Sequence, residues 1–233
     1  MQEGRKKMQR KKNKELWTGL GLLLGFILWT ALIRFVDVQA AGPDGSKVGF
    51  AAFNLWFHQL TGVHMGLYTL TDWLGLVPIS VCLGFGVLGL LQWVRRKSPF
   101  RVDPDLLLLG GYYLLVILAY LFFEMAPVNY RPVLIDGVLE ASYPSSTTLL
   151  IASVMPTLKF EADRRVRRPL WRHAVNLVTL LFSAFMVIGR LISGVHWATD
   201  IIGALLLSAG LFRLFRYLVH LTDRPREDTH GIQ

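Results

Sequence analysis

The sequence predicts an all-α polytopic membrane protein with six transmembrane helices and an interfacial helix between spans one and two. Two observations carry this reading. Hydrophobic residues make up 53% of the 233-residue chain and gather in long runs, and the Lys and Arg residues fall in alternate loops between those runs. Trp73 to Val94 is 22 residues without a formal charge, and Leu16 to Val36 is interrupted only by Arg34. Uncharged apolar runs of about 18 residues or more are long enough to cross a bilayer, and a soluble core of this size does not need them.

Taken in order, residues 1–15 form a basic cytoplasmic N-terminus and residues 16–36 the first span. The apolar stretch of about 20 residues exceeds the roughly 7–15 of a signal-peptide core, so the span reads as uncleaved despite the small residues of "VQAAG". The turn signal "AGPDGS" follows, then "VGFAAFNLWFHQLTG". There Phe53, Trp56, Phe57 and Leu60 repeat at i, i+3, i+4, i+7, one apolar stripe on a helix too short to span, which suits an interfacial lid or rim. His58 and His64 read as interfacial polar groups. The remaining spans are roughly 73–94, 106–123, 144–158, 174–190 and 195–215. Pro144 and the serines of "YPSSTT" start the fourth, and Lys159 stops it. The spanning domain is thus 16–216, with a cytoplasmic tail at 217–233. The single cysteine, Cys82, lies in a span and forms no internal disulfide.

The net charge of +9 invites a nucleic-acid reading, and the placement of the charges removes it. The basic residues sit in "RKKMQRKKNK", "RRKSPFR", "KFEADRRVRRPLWR" and the tail, all on one side of the predicted spans. Of the 25 Lys and Arg, only Arg34, Lys47, Arg131 and Arg190 fall on the other side. This is the positive-inside pattern of a multi-pass protein of the cell membrane, with both termini cytoplasmic.

Ionisable and hydroxyl residues gather at the exterior ends of the spans. Arg131 and Pro132 follow span three, Ser145, Ser146 and Thr147 open span four, Arg190 closes span five, and His196 and Asp200 open span six. His196 and Asp200 are four apart and would share a helix face, with the carboxylate about 6 Å deeper. A carboxylate beneath a histidine fixes its tautomer and supports an imidazolium, leaving the other ring nitrogen as base or nucleophile. Two guanidinium groups and the free N–H groups of a helix start suit a phosphate. A structural His–Asp pair with snorkelling arginines is the plainer alternative. Charged groups at membrane depth are nonetheless functional candidates by default.

In these residues the sequence resembles the type 2 phosphatidic acid phosphatases, which share a core with the vanadium haloperoxidases. "GRLISGVHWATD" matches the family's third motif from its arginine onward, with Gly189 in place of serine. "NYRPV" supplies the Arg-Pro of the first motif, and "YPSSTT" follows the Pro-Ser of the second. The resemblance covers about residues 105–215. It implies that His196 attacks phosphorus to give a phosphohistidine, that Asp200 holds its ring, and that Arg131, Arg190 and Ser145 bind phosphoryl oxygens. No metal or other cofactor is implied. Two positions depart from the family. Glu124 stands where the first motif has lysine, and Thr147 where the second has the histidine that protonates the leaving group. A missing general acid typically costs 10²–10⁴-fold. A diphosphate substrate, whose leaving group needs less protonation, would evade that cost, and Glu124 could serve as the acid or as an ion-pair partner of Arg131. The expected activity is therefore hydrolysis of a lipid phosphate or diphosphate at the exterior face, the partners being that substrate and membrane lipids. The rivals are a catalytically altered homologue that binds lipid phosphate, and a lipid phosphotransferase.

Overall fold

Eight helices build the protein in the computed structural model, which describes residues 2–223; Arg224 and Arg226 of the predicted tail lie outside the described residues. The helices are α1 (Gln2–Phe35), α2 (Ala51–Thr61), α3 (Met65–Leu74), α4 (Leu76–Arg96), α5 (Pro104–Met125), α6 (Ser146–Arg165), α7 (Pro169–Ile192) and α8 (Ala198–Thr222).

Among the described residues, five stretches are long and apolar enough to cross a bilayer: Met8–Phe35, Met65–Arg96, Pro104–Met125, Pro169–Ile192 and Ala198–Thr222. Within the most apolar window of each, 44% of α8 is buried against 11% of Met65–Arg96. That contrast puts α8 at the centre of the bundle and α4 at its rim. The fourth expected span, 144–158, corresponds to α6, which is not among the five. Its 20 residues give a length of about 30 Å, but the helix is not apolar. Its position supplies the reason. Enclosed by α4, α5, α7 and α8, α6 buries Thr147, Thr148, Ser153, Thr157 and Glu161. Lipid is kept from most of its surface, so its polar groups meet protein partners instead: Tyr113 Oη lies 2.6 Å from Thr157 Oγ1. Nor does Lys159 stop it. Lys159 pairs with Asp163 one turn on at 2.8 Å, and the helix continues to Arg165.

The predicted interfacial helix is α2. Its stripe faces away from the protein, with Phe53, Trp56 and Leu60 exposed while Ala51 and Asn54 are buried. An outward apolar stripe on a short helix suits the boundary between headgroups and acyl chains. A second short helix, α3, follows it and runs through Gly75 into α4, so the second apolar run begins at Met65 rather than near residue 73.

The core joins Phe26 and Ile33 of α1, Leu109, Tyr112 and Val116 of α5, Leu149 of α6, and Ala204, Leu207, Leu211 and Phe215 of α8. At the basic end of the bundle, ion pairs fasten the helix ends. Asp103 meets Arg96 at 2.8 Å and Arg165 at 3.0 Å. Arg164 bridges Asp105 and Asp223, and buried Glu15 holds Arg213 and Arg216 against α1. All the predicted site residues lie at the opposite end.

Candidate active site

Three pieces of chain converge at that end: the loop 126–145, the α3 helix, and the turn 193–197 between α7 and α8. The turn is tight because Gly194 adopts φ +73, and any Cβ there would strike the Gly62 carbonyl oxygen. Glycine takes such a conformation without the steric cost a side chain brings. His64 N donates to Ser193 O at 2.9 Å, which ties α3 to this turn.

His196 sits in the turn, buried to 4% exposure. Its Nδ1 lies 3.1 Å from the Ser142 carbonyl oxygen. A carbonyl only accepts, so Nδ1 carries the proton and Nε2 the lone pair. That Nε2 faces Nη1 of Arg131 at 3.4 Å. Burial, with the charges of Arg131 and Arg190 adding to it, holds the imidazole well below its ordinary pKa. The ring is therefore neutral at physiological pH, the form a nitrogen nucleophile needs.

Asp200 does not share a helix face with His196, because α8 begins only at Ala198. Its carboxylate turns back to the helix start, accepting from Trp197 N at 3.0 Å and from Asn129 Nδ2 at 3.1 Å. Unsatisfied N–H groups at a helix start draw a nearby carboxylate in this way. Asp200 Oδ2 stands 3.8 Å from His196 Nδ1, beyond hydrogen-bonding distance. The ring is thus oriented by the Ser142 carbonyl, with Asp200 behind it.

Arg131 is buried and ion-paired through Nε to Glu140 at 2.9 Å. Glu124, considered from the sequence as its partner, is not bonded to it. Instead Glu124 lines a cavity of about 180 Å³ together with Arg131, Glu140, Ser142, Ser146 and His196. Arg190, 1% exposed, projects from the end of α7 toward α3. Its Nη1 lies 3.4 Å from both Tyr68 O and Thr71 Oγ1 and 3.7 Å from Asp72. Its Nε is buried with no partner.

The start of α6 divides in its contacts. Ser145 turns inward, its Oγ donating to Thr148 Oγ1 at 3.0 Å and its N to the Asp200 carbonyl. Ser146 lines the polar cavity and also an adjoining one of about 370 Å³. Thr147 lines only the second, whose wall is Leu76, Ile79, Val116, Ile117, Leu149 and Leu150. Tyr120 borders both.

Asn129, Glu140, Ser142 and Tyr68 are partners that sequence reasoning missed. Asn129 stood two residues before Arg131 in the quoted "NYRPV", so the first motif carried a usable signal. Glu140 and Ser142 had none, since their roles come from the loop folding back so that Arg131 N meets Glu140 O at 3.0 Å.

The profile of the PAP2 superfamily matches residues 106–224. Among curated protein sequences none matches the chain. A solved structure described as the first transmembrane PAP2-type phosphatidylglycerolphosphate phosphatase from Bacillus subtilis shares the fold with a TM-score of 0.55. It is 20% identical, and the match covers 90% of this chain and 100% of that one. With more than half of its length matched by the family's profile, this membrane protein belongs to the PAP2 superfamily.

Proposed function

We propose that the protein is a phosphatase of lipid phosphates or diphosphates, acting through a phosphohistidine at the exterior face of the cell membrane. One observation carries the reading. The unprotonated Nε2 of a buried, neutral His196 points at Arg131 in a polar cavity that adjoins an apolar one between α4, α5 and α6. The polar part suits a phosphate and the apolar part the first segment of a hydrocarbon chain. Nε2 attacks phosphorus, forming the P–N bond while the bond to the leaving oxygen breaks. Arg131 and Arg190 stabilise the charge on the phosphoryl oxygens. Water then attacks the phosphohistidine, the P–N bond breaks, and the displaced proton passes to solvent. α6 completes a sixth span as an inner helix, and the basic loops set both termini in the cytoplasm.

Thr147 favours a second reading. It stands where the family's proton-donating histidine would be and lines only the apolar cavity, which suits a protein that binds lipid phosphate without turnover. Purified protein and a His196→Ala variant, given a panel of lipid monophosphates and diphosphates, separate the two. Phosphate release by the wild type and not by the variant is the expected result. Equal release from both on every substrate sinks the enzyme reading, and cleavage of monophosphates as efficient as that of diphosphates sinks the argument that a better leaving group offsets the missing acid.

A further inference from the structure

The two arginines assigned to phosphate are held by a residue outside the family motifs. Tyr68, on α3, presents its ring to both. The Arg190 guanidinium carbon lies 4.8 Å from the ring centroid and that of Arg131 5.9 Å. The Tyr68 carbonyl also accepts from Arg190 Nη1. Two buried guanidinium groups beside one ring repel each other, and each draws on the negative face of that ring. A second departure from the motif explains how α3 comes so near. At Gly189, where the family has serine, an added Cβ would lie 2.9 Å from Thr71 Cγ2 and 3.5 Å from Leu67 Cδ1. Glycine there, the residue next to Arg190, lets α3 pack closely against α7, which sets Tyr68 against both guanidiniums.

We propose that Tyr68 is a positioning residue for anion binding, keeping Arg131 and Arg190 together through its ring, and that Gly189 is its structural counterpart on α7. The inference rests on the phosphatase reading of the same site. Donors arranged before the anion arrives do not reorganise on binding, so the effect falls on affinity for a phosphoryl-like anion.

The test uses the full-length protein in detergent and orthovanadate as the probe, with binding measured by titration calorimetry and phosphate release followed separately. Tyr68→Leu is expected to weaken orthovanadate binding by about tenfold, the scale of a pair of cation–ring contacts, and to raise KM more than it lowers kcat. Tyr68→Phe, which keeps the ring, restores binding to within about twofold. Gly189→Ser, which crowds Thr71 and Leu67 and pushes α3 outward, weakens binding in the same direction and keeps the inference testable if Tyr68→Leu does not fold. Wild-type affinity in both Tyr68→Leu and Gly189→Ser, in a protein that binds orthovanadate and turns over, overturns the inference alone. Loss in Tyr68→Phe equal to that in Tyr68→Leu overturns the role of the ring. A wild type that neither binds orthovanadate nor releases phosphate overturns the phosphatase reading itself.

Discussion

Asn129→Ala removes a single amide from the floor of the site. Asn129 is 1% exposed and Asp200 0%, so no solvent stands ready to replace the bond. The Asp200 carboxylate accepts two well-formed hydrogen bonds, from Asn129 Nδ2 at 3.1 Å and from Trp197 N at 3.0 Å. Leaving a buried acceptor without its donor costs about 1–3 kcal/mol. For a chain of this length each kcal/mol moves the melting midpoint by about 2–4 °C, so the variant should melt about 2–12 °C lower. If the same bond keeps Asp200 behind His196 during turnover, kcat falls by about five- to a hundredfold at the usual 1.36 kcal/mol per decade. The assay is paired: tryptophan-fluorescence melting in detergent and phosphate release at saturating substrate. Asn129→Asp, which sets a second carboxylate against Asp200, should be worse on both counts. An Asn129→Ala protein that melts and turns over like the wild type would refute the argument that Asn129 holds Asp200.

Other consequences follow from the same geometry. Because burial and the two arginines keep His196 neutral far into acid, the acidic limb of kcat/KM should lie well below pH 6.5; a limb at 6.5 would mean a solvated ring. The unfolded chain takes up a proton near pH 6.5 that the folded site refuses, so this group also makes stability rise with pH in the window beneath 6.5. Glu140→Ala should lower activity by about two- to fivefold, the scale of a partly exposed pair, and more than Glu124→Ala does, since Arg131 is paired with Glu140; the reverse order in a side-by-side phosphate-release assay would contradict that assignment. Gly194→Ala puts a Cβ at positive φ against the Gly62 carbonyl and should cost about 1–3 kcal/mol, seen as a lower melting midpoint.

Much of this was legible in the sequence where one physical constraint acted alone. The apolar runs had to be lipid-facing helices, and the stripe of Phe53, Trp56 and Leu60 had to face outward on a helix too short to span. The reading weakened where protein rather than lipid surrounds the chain. α6 is polar because its neighbours enclose it, so hydropathy understates it and Lys159 looked like an end. In the site, the spacing of His196 and Asp200 was informative, and the structure sets them 3.8 Å apart, whereas Arg190 turns to α3. The bond that orients His196 was not legible, because it comes from the Ser142 backbone, which every residue type has. Spacing suggested a helical His–Asp pair; the helix starts two residues too late for that, and its free N–H groups take the carboxylate.

The central claim is that His196 Nε2 is the nucleophile. Rapid-quench mass spectrometry of the protein mixed with a lipid diphosphate, under alkaline conditions that preserve phosphohistidine, tests it most directly. The account predicts one added phosphoryl group on the peptide containing His196, forming and decaying at rates compatible with turnover and absent in His196→Ala. Steady phosphate release with no phosphoryl group on that peptide, or with one on another residue, would contradict it.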